Sequence, residues 1–89
     1  MLAARGRKRR IDGLEATLEY LELLRSGPRS RWHLYRLGPL TDYRVLSRRL
    51  GSMVSRGLIV EEVRVANGRR VKTYRITDKG RRLLELLGD

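Results

Sequence analysis

The chain has 89 residues, enough for one small domain with a modest hydrophobic core and too few for two. Its 21 Lys and Arg against 10 Asp and Glu leave a formal charge of +11, nearly all of the positive side arginine, which suits a polyanionic partner and the edges of phosphate and guanine. With no cysteine and no apolar run long enough to span a bilayer, the composition excludes a disulfide framework, a thiolate metal centre and a transmembrane helix, and a cytoplasmic protein is expected.

Met1 to Arg10 carries five basic residues and no acid, so it is expected to be a disordered basic arm, with the folded domain spanning residues 11–89. From Ile11 the apolar residues Ile11, Leu14, Leu18, Leu21 and Leu24 recur at helical spacing, with Glu15, Glu19 and Glu22 between them. Ser26-Gly27-Pro28 stops that first helix. After a short connection, Arg31 to Leu37 reads as a second helix using Trp32, Leu34, Tyr35 and Leu37, closed by Gly38-Pro39, with Trp32 and Tyr35 expected in its core and stacking on bases as their other reading.

Thr41 is the expected N-cap of a third helix, with Leu40 and Val45 placed as a hydrophobic staple. The helix should run to about Arg56, where Gly57 takes the left-handed conformation that ends it. Leu46, Leu50, Met53 and Val54 share one face, and Arg44, Ser47, Arg48 and Gly51 share another. Two β-branched stretches, Leu58 to Val65 and Val71 to Ile76, flank Ala66-Asn67-Gly68-Arg69, a strong hairpin signal. A two-residue loop sets Val65 opposite Arg70 and Ile59 opposite Ile76. Ile59, Val63, Tyr74 and Ile76 then line one face, which Arg70 and Lys72 continue toward the tip. Thr77 caps a last helix whose Leu83, Leu84, Leu86 and Leu87 exceed what one small core can hide.

The fold class is therefore α+β: a three-helix core, a two- or three-stranded wing over residues 58–76 and a C-terminal helix. This is the order of a winged helix-turn-helix, in which residues 41–56 form the recognition helix. The stretch SRWHLYRLGPLTDYRVLSRRLGSMVSRGLI resembles the helix-turn-helix core of winged-helix transcriptional regulators. GRRVKTYRITDKGRRLLELL is similar to the wing and following helix of PadR-type and MarR-type members. The resemblance implies sequence-specific binding of double-stranded DNA as a homodimer, joined through the terminal helices, in the control of transcription. The chain lacks the acidic-then-basic motif of the MarR-type wing and the long C-terminal helical extension of many PadR-type proteins.

On that reading Arg44, Ser47 and Arg48 face base edges, where an arginine grips guanine bidentately. Tyr43 either reaches a thymine methyl or a phosphate, or turns toward the core. Arg49 lies to the side, as a phosphate contact or an exposed charge. Arg69, Arg70 and Lys72 are expected to carry the wing to a minor groove or the backbone. Gly51 costs about 1 kcal/mol in a helix interior, which close approach of a phosphate or another helix would explain, as would a tolerated defect. His33 has no metal partners in the sequence and reads as a surface residue. No nucleophile has a base beside it, so neither an enzyme nor a cofactor is expected. Two other functions remain open: a winged helix that binds RNA or the ribosome, against which few exposed aromatic residues count, and a protein-interaction module of a transcription or replication assembly.

Overall fold

The computed structural model describes residues 13–88, in the order α1 (Gly13–Leu24), β1 (Arg29–Ser30), α2 (Arg31–Leu37), α3 (Tyr43–Ser55), β2 (Ile59–Ala66), β3 (Arg69–Ile76) and α4 (Asp78–Leu87). The basic arm and Ile11 lie outside the described residues. The helices and hairpin fall where the sequence places them. β1 does not: its two residues fall in the expected connection, and they pair antiparallel with β3, Arg29 opposite Tyr74 and Ser30 opposite Thr73, in a sheet of order β1-β3-β2. Two residues carry no periodicity, and only the partner strand makes them a strand.

α1 buries Ala16, Thr17, Tyr20, Leu21 and Leu24, whereas Leu14 is exposed and Leu18 only packs against the edge of the core. Tyr20 takes the place expected of those leucines because its polar end is satisfied: the hydroxyl accepts the N–H of Leu40 at 3.0 Å. Burial pushes its pKa up. Gly38 lies on the ring so closely that a Cβ there would stand 2.1 Å from a ring carbon, which locks the α2–α3 turn onto α1.

α2 is capped by Ser30, whose hydroxyl accepts the N–H of His33. Of Trp32, Leu34, Tyr35 and Leu37 only Leu34 is fully buried. Tyr35 is half-buried, and Trp32 and Leu37 are exposed. Two helical steps of about 100° put Trp32 nearly opposite Leu34, and a helix of two turns has only one stripe to bury.

The N-cap of α3 is Asp42, not Thr41. Its carboxylate accepts the N–H groups of Arg44 at 2.9 Å and Val45 at 3.4 Å. Those bonds hold the Asp42 carboxyl below its ordinary pKa, helped by the charges of Arg44 and Arg48. Shifting the cap by one residue removes the Leu40–Val45 staple: Leu40 packs on the core, but Val45 is exposed. The other end behaves as expected. Gly57, at φ +76°, donates to the Val54 carbonyl and Leu58 to the Met53 carbonyl, the paired bonds of a Schellman stop.

β2 and β3 meet in the expected register, with Ile59 opposite Ile76 and Val65 opposite Arg70, through a loop whose Asn67 and Gly68 both have positive φ. Ile59, Tyr74 and Ile76 are buried, but Val63, on the same face, is 53% exposed because the hairpin extends past the body it packs on. Thr77 then ties β3 to α4: its hydroxyl caps Gly80 and donates to the carbonyls of Gly57 and Leu58. Leu84 is buried and Leu83 packs at the rim, leaving Leu86 and Leu87 exposed with Leu14 of α1.

Candidate nucleic-acid interface

α3 contains no acid, and Asp42 before it is committed to the cap. Its inner stripe of Leu46, Leu50 and Met53 is buried, so the opposite stripe must face outward. Arg44, Arg48 and Gly51 are exposed there, with Ser47 half-buried between them. A side chain at Gly51 would meet nothing within 4 Å, so no other helix among the described residues accounts for the glycine. Of the two orientations open to Tyr43, the outer one is found: the ring is 42% exposed and meets Tyr35 edge-on at 5.2 Å.

Arg49 is placed differently from Arg44 and Arg48. Its guanidinium lies 3.0 Å from where a Cβ on Gly13 would be, and its Nε is buried with no hydrogen-bond partner among the described residues. It still borders, with Val45, Arg48 and Ser52, a shallow hollow on the side of α3.

The wing sorts its charges along its length. Near the body, Glu62 pairs with Arg75 at 2.8 Å and with Arg64 at 3.8 Å, and Glu61 pairs with Lys72 at 3.6 Å. The Arg75 bond keeps the Glu62 carboxyl below its usual pKa. These cations are therefore partly balanced, Lys72 included. Arg69 and Arg70 at the tip are exposed, and their neighbouring positions put them on opposite faces of the ribbon.

One residue that the sequence did not single out connects helix and wing. Arg31, the first residue of α2, donates from Nη1 to the Ser47 hydroxyl at 3.3 Å and from Nε to the Tyr74 hydroxyl at 3.1 Å, with its guanidinium 5.6 Å from the centre of the Tyr74 ring. The Tyr74 hydroxyl donates onward to Glu61 at 3.2 Å. Burial pushes the Tyr74 pKa up, against the pull of the adjacent Arg31 charge, so the phenol stays protonated at neutral pH and remains a donor. This chain fixes the middle of α3 against the base of the wing. The partners are 16 and 43 residues away in sequence, beyond any local pattern.

Three aromatic rings also reach the surface beside α3. Trp32 is 56% exposed and meets Tyr35 at 5.6 Å, and Tyr35 continues to Tyr43. Trp32 and Tyr43 are thus exposed and Tyr35 partly so, few rings in number but gathered in one row. Among the described residues no group of three or more metal-ligating side chains gathers, and no helix is long and apolar enough to cross a membrane.

A three-helix core that presents one basic helix beside a hairpin is a winged helix-turn-helix. Solved structures of transcriptional regulators, PadR-family members among them, share this fold. A candidate transcriptional regulator from Thermoplasma acidophilum superposes with a TM-score of 0.74 at 24% identity, over 86% of this chain and 78% of its own. A PadR-family transcriptional regulator from Eggerthella lenta gives 0.71 at 25% identity, over 80% of this chain and 66% of its own. Bacillus subtilis PadR in complex with operator DNA gives 0.66 at 20% identity, over 78% of this chain and 44% of its own. No protein-family model matches the sequence, and comparison with curated proteins finds no match.

Proposed function

We propose that this chain is a transcriptional regulator that binds double-stranded DNA with α3 in the major groove and the wing on the backbone or minor groove. The observation that carries the reading is the acid-free outer stripe of α3, Arg44, Ser47, Arg48 and Gly51, held against the wing by Arg31. Arg44 and Arg48 present two guanidinium forks one turn apart, unpaired among the described residues, the chemistry that reads guanine edges. The likeness of the fold to PadR bound to operator DNA supports the same reading. The protein acts in the cytoplasm, as a homodimer that covers Leu14, Leu86 and Leu87 with the same surface of a second copy. The arm residues Arg5, Arg7, Lys8, Arg9 and Arg10 follow a DNA groove and add affinity through counterion release.

Parallel titration of labelled duplex DNA, single-stranded DNA and duplex RNA tests the reading. Duplex DNA should bind tightest, with affinity falling steeply as salt rises, and sedimentation at micromolar concentration should give a dimer. The exposed rings favour an RNA-binding alternative, which wins if RNA binds as tightly as duplex DNA.

Gly51 supplies a second test. Gly51→Ala should stabilise the fold by about 0.5–1 kcal/mol, because the methyl meets open space and the helix gains propensity. It should also weaken duplex binding, because the methyl would keep a phosphate from the backbone. A higher Tm with unchanged affinity would leave the glycine as a tolerated defect.

A further inference from the structure

Of the surface row of Trp32, Tyr35 and Tyr43, only Tyr35 packs against the core, and the exposed rings of Trp32 and Tyr43 lie outside the outer stripe of α3. The rings follow one another from α2 to the first residue of α3, beside Arg44, with Trp32 tilted on Tyr35 and Tyr35 edge-on to Tyr43. From Leu24 to Thr41 the chain holds Arg25, Arg29, Arg31 and Arg36 and no acid; Arg25 is paired with Glu22 and Asp42 is bound in the α3 cap, which leaves Arg29, Arg31 and Arg36 to bias the row toward a polyanion. Its outer members also carry donors, the indole N–H of Trp32 and the hydroxyl of Tyr43. An apolar partner would leave these cations facing apolar surface, whereas a nucleic-acid backbone offers sugars to the rings and phosphates to the donors.

We infer that Trp32, Tyr35 and Tyr43 form an uncharged seat for the sugar–phosphate backbone of the DNA strand beside the groove that α3 occupies. The inference rests on the DNA-binding reading proposed above and adds a contact to it. Deoxyribose packs on the Trp32 and Tyr43 rings, the indole N–H and phenol O–H donate to phosphate oxygens, and Tyr35 holds the two rings apart. Such a contact positions the protein without reading sequence. Being uncharged, it releases no counterions.

Trp32 is the only tryptophan in the chain, so its fluorescence reports the seat directly. Adding duplex DNA should change its emission in step with the fluorescence anisotropy of the labelled duplex. Trp32→Ala should lower affinity about five- to tenfold, equally on operator and random duplexes, with an unchanged slope of log affinity against log salt. Trp32→Phe should recover part of that loss, because the ring returns without the donor. Trp32 is exposed, and an unchanged thermal melt of both variants separates lost contact from lost fold. If the duplex binds while Trp32 emission and Trp32→Ala affinity stay unchanged, the seat is overturned and the DNA-binding reading stands. If Trp32→Ala weakens only single-stranded DNA or RNA, the row stacks on bases and the backbone seat is again overturned. If no duplex binds, both fall together.

Discussion

Replacing Gly80 by alanine is expected to destabilise the fold by about 3 kcal/mol, the upper end of the cost of overpacking a well-filled core. A Cβ at Gly80 would stand 2.3 Å from the Leu58 carbonyl oxygen, 2.9 Å from Ile76 Cγ1 and 3.2 Å from Leu21 Cδ2. Side chains can turn aside, but the Leu58 carbonyl is fixed, since it accepts both the N–H and the hydroxyl of Thr77. The methyl must therefore push the first turn of α4 away from the Leu58 carbonyl, just ahead of β2. For a domain of this size the loss corresponds to a fall of about 10–20 °C in Tm. Gly51→Ala, in open space, should move Tm the other way, so the pair separates steric cost from helix propensity within one chain. A Gly80→Ala protein that melts with the parent would mean that α4 does not seat against Leu58 in this way.

Other glycines were legible in the sequence. Gly57 and the Asn67-Gly68 pair announce themselves because each sits where a periodic run breaks, and both ends of the wing follow from them. The wing register then follows from a period of two residues. The faces of α3 were equally legible, because its apolar and basic residues separate cleanly on a helical wheel. What was not legible depends on partners distant in the chain. Gly80 looks like an ordinary first-turn residue until Leu58 is placed against it. Trp32 looks like core until a two-turn helix proves to have room for Leu34 alone. β1 exists only through Tyr74 and Thr73, and Arg31 acquires its role only when Ser47 and Tyr74 converge on it. The cap on α3 moved from Thr41 to Asp42 because both are good N-caps, and a local pattern does not choose between neighbours.

These displaced expectations change the site in one direction. Arg49 turns toward α1 and Lys72 is shared with Glu61, so the cations most open to a ligand are Arg44 and Arg48 on α3 and Arg69 and Arg70 at the wing tip. The two pairs differ in support. The first stands on a helix fixed by a buried stripe, a cap at each end and the Arg31 bridge, and the second on an exposed loop beyond the core. Fixed geometry suits base readout, which needs a guanidinium fork aligned with a base edge. A compliant tip suits phosphates, which accept a cation from many directions.

Arg48→Ala should accordingly cost about 1–3 kcal/mol of binding to the operator while weakening binding to random duplex by no more than one lost charge. The variant should fold normally, because Arg48 is exposed in mid-helix and alanine has the higher helix propensity. Neutralising Arg69 and Arg70 together should behave in the opposite way. Affinity should fall alike on operator and random sequences, and the slope of log affinity against log salt should flatten by about 0.9 for each phosphate contact removed. Measuring both variants on both duplexes over a range of salt separates the roles without a structure of the complex. Equal losses on operator and random duplex for Arg48→Ala would make Arg48 a backbone contact and leave Arg44 as the base-reading arginine of α3.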